Sequence, residues 1–223
     1  RLPDGTGEWK HTPSASKGRE NRVLTLENTT TNAIWLWSAH SGDWLENDCA
    51  IMKQIKNSGI DHILLNFSAF ADNKIKKTKQ FLQKAAEHDL FVHVWMQAFY
   101  QGGWVSPVID AENRYDQELF DIIVPEAKMY VEEYGAQGIH LDYIRFGGTA
   151  YKHNPSREVT AVGAVNECCR QVREAVDACA DGIVMSAAMM AENNAEYYYG
   201  QNPAKMCEWI DIFMPMIYRH KAY

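Results

Sequence analysis

Much of what would assign this 223-residue chain to a familiar class is scarce or missing. Lysine and arginine number 22 against 29 aspartates and glutamates, a formal net charge of −7, and no Lys/Arg-dense block occurs. A nucleic-acid backbone therefore finds no electrostatic footprint, and nucleic acid is set aside as a partner. The longest apolar runs are strand-sized, short of the roughly 18 residues that a membrane-spanning helix needs. The five cysteines are odd in number and lack CxxC spacing. Most fall in helix-like stretches, where a thiol acts as a small buried hydrophobe, and neither a zinc pattern nor a fixed disulfide pairing can be read from them. No GxGxxG or P-loop pattern follows the first strand, which runs into SAHSGDW. No nucleotide or other cofactor is expected.

What is present is alternation. Residues 1–32 are polar, rich in Gly, Thr, Ser and Asn, and are expected to form an extended arm. From there AIWLW (33–37), DHILLNF (61–67), LFVHVWMQAF (90–99), GIHLDYIRF (138–146), GIVMSAAMM (182–190) and DIFMPMIY (211–218) read as strands. Between them lie helices over 44–59, 73–89, about 115–134, about 157–180 and about 203–209, with YYYGQNP and the stretch around Gly102-Gly103-Trp104 as loops. Strict alternation implies a parallel sheet covered by helices.

Two architectures fit, a doubly wound open sheet and a (β/α)8 barrel. The missing phosphate loop disfavours the first. Polar and aromatic residues gather after most strands: Trp37 and His40, Asn66, Trp95 and Gln97, Asp142 and Arg145, Glu192, Tyr218 and His220. Such gathering describes a barrel's catalytic end. The expectation is an α/β fold, a (β/α)8 TIM barrel over residues 33–223 that stops after strand six. A complete barrel would need about two more β-α units, toward roughly 250 residues. The chain opens on Arg1 without a charged-then-apolar leader, as a processed protein or a piece of a longer one would.

Within GIHLDYIRF, Ile139 and Leu141 share one face of the strand and His140 and Asp142 the other. Apolar residues suit the helix side, which sends His140 and Asp142 inward. A desolvated carboxylate needs a partner, and Arg145 or His140 is expected to supply it. The bland alternative is an Asp142–Arg145 salt bridge that merely closes the strand.

The motifs GIHLDYIRF, MSAAMM, YYYGQNP and DIFMPMIYRHKAY together resemble glycoside hydrolase families of formerly unknown function, whose fourth strand ends in a motif like FDYIRFP and whose sixth reads like SPMVYPSHY. Those families are (β/α)8 barrels related to α-amylase- and α-galactosidase-type glycosidases. The resemblance implies that Asp142 is the nucleophile, that Arg145 follows it, and that Tyr218 and His220 line the site. It also implies an acidic residue after strand five, where this chain has Ser186-Ala187-Ala188, so Glu192, or further on Glu196, is the candidate acid/base. Carboxyl separations of about 5–5.5 Å would suit retention and about 6.5–9.5 Å inversion.

Trp37, Trp95 and Trp104 are expected to shape a cleft for sugar rings, with Asn66 and Gln97 lining it; His40 and His93 are further candidates, each read first as a satisfied loop or barrel-interior histidine. Trp104 stands out because QGGWVSP offers a tryptophan little core to enter. The function expected is hydrolysis of a polysaccharide or cell-wall glycan, with a carbohydrate substrate and an extracellular or cell-surface setting. The alternatives are a non-catalytic glycan-binding barrel and a metal-dependent carbohydrate deacetylase using His93, His140, Asp142 and His220. A cysteine peptidase built on Cys49 has only a distant histidine to support it. Asn28-Thr29-Thr30 and Asn66-Phe67-Ser68 match glycosylation sequons, and Asn66 reads better as a site-lining residue.

Overall fold

A computed structural model describes residues 32–217. In chain order the strands are β1 (Asn32–Leu36), β2 (Ile60–Asn66), β3 (Phe91–Gln97), the short pair β4 (Val108–Ile109) and β5 (Arg114–Tyr115), then β6 (Gly138–Asp142), β7 (Val184–Met190) and β8 (Ile212–Met216). The helices are α1 (Ala50–Asn57), α2 (Ile75–Glu87), α3 (Gln117–Glu132), α4 (Ala161–Asp177) and the short α5 (Ala195–Tyr199) and α6 (Pro203–Met206). None of the described helices is long and apolar enough to cross a membrane. The arm expected over the first residues, the sequon at Asn28, and Tyr218 and His220 lie outside the described residues.

Six strands make one parallel sheet in the order β1-β2-β3-β6-β7-β8, and β4 and β5 make a separate antiparallel ribbon. The order is sequential and never reverses. Right-handed crossovers that always step the same way put their helices on one face, whereas a doubly wound sheet reverses and covers both. The sheet curls into a half-barrel.

The alternation read from the sequence sorts the side chains. Ile63 and Leu65, Val92, Val94 and Met96, Ile139 and Leu141, and Met185 and Ala187 pack with Met52, Phe81, Phe120, Ile123, Cys168 and Val172 of the helices. The residues between them, His62, Leu64 and Asn66, His93, Trp95 and Gln97, Gly138, His140 and Asp142, and Ser186 and Ala188, occupy the concave face. All five cysteines are free, and Cys49, Cys168 and Cys169 are buried, as structural thiols.

Three local readings are corrected. Residues 44–59 do not form one helix, because Asn47, Asp48 and Cys49 take φ of 49°, 56° and 57°. Three consecutive left-handed residues break a right-handed helix, leaving a single 3-10 turn at Asp43–Leu45 and then α1. The loop after β3 contains the β4–β5 ribbon. The tyrosine run is helical α5, ended by Gly200 at φ 73°.

The C-terminal strands are tied down by one buried cation. Arg173 of α4 donates to Asp211 Oδ2 (2.5 Å), Asp177 Oδ1 (2.9 Å), the Ile183 carbonyl (2.8 Å) and the Trp209 carbonyl (3.0 Å). Asp211 Oδ2 also accepts from Met185 N at 2.8 Å, so the same carboxylate anchors the start of β7. Removing the cation would strand Asp211 in a largely water-free position. Arg173→Met should lower the unfolding free energy by about 3–5 kcal/mol, read as a drop in the urea midpoint with an unchanged slope.

Candidate active site

The concave face carries a row of neighbours. Asn66 on β2 stands beside Trp95 on β3, Trp95 beside His140 on β6, and His140 beside Ser186 on β7. One step further toward the strand ends, Gln97 pairs with Asp142. Asp142 is therefore the last residue of β6, half-buried, on the concave side and at the end where a barrel keeps its chemistry.

Its two oxygens have different donors from those expected. Trp95 Nε1 donates to Oδ2 at 3.0 Å, and the Tyr143 backbone N–H donates to Oδ1 at 2.8 Å. Tyr143 can do so because it takes a left-handed φ of 54°, which turns the chain sharply off the strand. That conformation is costly for a bulky residue and marks a backbone fixed by its surroundings. Here Phe99 N and Ala98 N hold it by bonding the carbonyls of Tyr143 (3.0 Å) and Asp142 (2.8 Å).

The turn carries Arg145 away from Asp142, and no ion pair joins them among the described residues. The guanidinium carbon lies 4.7 Å from the centre of the Trp104 ring and 5.5 Å from those of Tyr143 and Tyr199. The rings come from the loop after β3, the end of β6 and α5. Burial pulls the Arg145 pKa down, opposed first by Asp142 and then by Tyr199, Tyr143 and Glu192. Glu192 is exposed two residues beyond β7, and its Oε1 accepts from Tyr199 Oη at 3.5 Å. Glu196 is instead bonded by Asn202 Nδ2 at 2.5 Å.

Of the expected cleft residues, Trp37 packs edge-on to Trp95 at 4.7 Å and is 56% exposed, while Trp104 is 44% exposed and rests on Gly147. A Cβ at Gly147 would come 2.8 Å from the indole, so only glycine admits this packing. Gln97 is half-buried beside Asp142. Asn66 is buried, its Oδ1 accepting from Ser68 N (3.1 Å) and Ser68 Oγ (2.6 Å), which leaves no room for a glycan at that sequon. His40 faces solvent with Nδ1 3.5 Å from Asp43, and among the described residues nothing bonds it to the Asp142 cluster.

The two strand histidines lie beneath the site: His93 follows its interior reading, and His140 is corrected from lining to support. His140 is fully buried with Nδ1 2.8 Å from Ser186 Oγ, and His93 is buried with Nε2 2.8 Å from His62 Nδ1. His93 lies over Gly138, where a Cβ would fall 1.9 Å from its Nδ1. Their remaining nitrogens, His93 Nδ1 and His140 Nε2, and Asn66 Nδ2 are buried without a hydrogen-bond partner. Sequence reasoning missed Tyr143, whose backbone role has no side-chain signal, and the pairings of Ser186 and His62, which only strand register creates. Tyr199 was visible only as one of three adjacent tyrosines.

No protein-family profile matches the sequence. No curated protein matches it either. Among solved structures the chain is similar to the chitinase RmChi1 of Rhizomucor miehei, at 16% identity and TM-score 0.53 over 84% of this chain and 57% of that one. It is similar to the spore cortex-lytic enzyme SleL of Bacillus cereus, at 14% and 0.54 over 83% and 41%. It is also similar to the carboxyl transferase domain of Rhizobium etli pyruvate carboxylase, at 14% and 0.50 over 83% and 27%. The chain thus spans about half the length of the first two. At these identities the likeness establishes the half-barrel fold, which the third structure shares with a different chemistry.

Burial holds the pKa of both His93 and His140 down to about 3, with the charge of His62 adding to the effect on His93 and that of His93 to the effect on His140. Unfolded, the same imidazoles titrate near about 6.5. Between those values the unfolded chain binds protons that the folded chain refuses, so this stability is complete above about pH 6.5 and is lost as pH falls toward 3. Each imidazole contributes about 1.4 kcal/mol per pH unit in that window. Urea unfolding measured from about pH 7 to about pH 4 should show His140→Gln with a shallower pH slope than the parent, by about one proton.

Proposed function

We propose that this chain supplies the catalytic strands of a glycoside hydrolase barrel that cleaves a polysaccharide or cell-wall glycan. The observation that carries the reading is the placement of Asp142: a half-buried carboxylate at the end of the fourth sheet strand, oriented by an indole N–H and a backbone N–H, beside exposed tryptophans. An oriented carboxylate at that position suits a glycosidic nucleophile or base, and indole faces suit the CH faces of sugars. The similarity to a chitinase and a spore cortex-lytic enzyme supports the same substrate class.

In this reading Asp142 acts at the anomeric carbon. Glu192, on the loop after β7 and electrostatically linked to the same guanidinium, is the acid/base. The two fixed N–H groups hold the carboxylate oriented for attack on the anomeric carbon, while the bond to the leaving oxygen breaks and Glu192 gives that oxygen its proton. Trp37 and Trp104 flank the approach. Tyr218 and His220 extend the proposed site by sequence position alone.

A second reading, glycan binding without cleavage, is favoured by one feature: Glu192 is exposed, and among the described residues its carboxylate accepts a single long contact, from Tyr199. The deacetylase alternative finds less support. Of its four ligands, His93 and His140 are engaged beneath the surface and His220 lies outside the described residues.

Asp142→Asn and Glu192→Gln should each reduce release of reducing ends from the cleaved glycan by about 10²–10⁴-fold while sparing its binding. Proton NMR of the first-formed anomer then distinguishes retention from inversion. Unchanged turnover in Asp142→Asn would remove the assignment, and binding without turnover in the parent would favour the second reading.

A further inference from the structure

Arg145 is unusual in what it does not touch. A guanidinium offers five N–H donors. Among the described residues this group makes one hydrogen bond, from Nη1 to the Phe146 carbonyl, long at 3.4 Å, and Nε is buried with no partner. Among the described residues no carboxylate lies within ion-pair distance of it. Asp142, the nearest in sequence, directs its oxygens to Trp95 and Tyr143 instead. A cation taken part of the way out of water is ordinarily paired, because the desolvation cost is otherwise uncompensated.

Three rings surround this cation, and they hold it in place by cation–π attraction without using its donors. The backbone is fixed too, since Phe146 N bonds the Tyr199 carbonyl at 3.0 Å and so locks the end of β6 to α5. The result is a pre-positioned fork of donors held among Trp104, Tyr143 and Tyr199, on the segment that follows Asp142. Arginine in such a setting recognises planar oxyanions.

We propose that Arg145 receives a carboxylate carried by the glycan, so that the substrate is an acidic sugar polymer rather than a neutral one. This inference rests on the glycan reading above and names the substrate class within it. A single carboxylate per sugar suits the local balance. Asp142 and Glu192 both act on the guanidinium, and the chain carries a net charge of −7, which together would repel a densely sulfated or phosphorylated polymer. The carboxylate has two chemical sources, a uronic acid at C5 or a lactyl ether at C3, and each presents the same planar group.

The test compares each acid with its own methyl ester, which removes the charge and keeps the sugar: tetragalacturonate for the first source and N-acetylmuramic acid for the second. Isothermal titration at low salt should show at least one acid bound about tenfold or more tightly than its ester, and which pair does so identifies the source. Arg145→Gln should abolish that difference while leaving ester affinity within about twofold, and Arg145→Lys should keep part of it. Equal binding of acid and ester by the parent overturns the proposal, and does so even if Arg145→Gln fails to fold. Equal weakening of both by Arg145→Gln also overturns it, since the guanidinium would then only support the turn. If none of the four sugars binds, this proposal falls while the glycan reading still rests on the turnover test above, and ester binding without acid preference likewise sinks this one alone.

Discussion

The register of the parallel strands is the constraint on which everything else rests. Because Asn66, Trp95, His140 and Ser186 stand in one row across β2, β3, β6 and β7, every second residue of each strand faces the concave side together. A slip of one residue in β6 would send His140 and Asp142 under the helices and Ile139 and Leu141 into the concavity. Leu141 and Ile139 are fully buried against the helical layer, so the apolar face itself enforces the register that presents Asp142.

The concave face is polar below and aromatic above. Beneath the strand ends, His62, His93, His140 and Ser186 are engaged in pairs, with two ring nitrogens left unmatched in a dry setting. Above them, Trp37 packs on Trp95, and Trp95 in turn donates to Asp142. The carboxylate is thus positioned by an indole that is itself held by another indole. The sharp turn at Tyr143 separates the neighbouring charges, giving Asp142 to the indole and Arg145 to the rings, where a simple continuation of the strand would have left them free to neutralise one another.

Much of this was legible in the sequence. Five strands and three of the longer helices appear near where period-two and period-3.6 patterns place them, with helix starts capped by Asp116 and Thr160, whereas β6 stops at Asp142 short of the expected Phe146 and only Ala50–Asn57 of the expected first helix forms α1. The choice of a barrel over a doubly wound sheet followed from a missing phosphate loop and from polar residues after many strands. It agrees with a strand order that never reverses. The misreadings share a cause. Left-handed residues at Asn47, Asp48 and Cys49 broke a helix whose hydrophobic period looked continuous, and a tyrosine run with no apolar stripe folded as a helix, with Tyr197 and Tyr198 against Tyr151. Neither event leaves a periodic trace.

The sequence alone determined the faces of the strands, the order of the elements and the position of Asp142 at a strand end, because those depend on neighbours one to four residues apart. The partners were decided only by tertiary structure. The bond from Trp95 to Asp142 spans 47 positions, and the rings around Arg145 come from three separated segments. Contacts of that range are set by strand register and by loop paths, and a one-dimensional pattern carries neither.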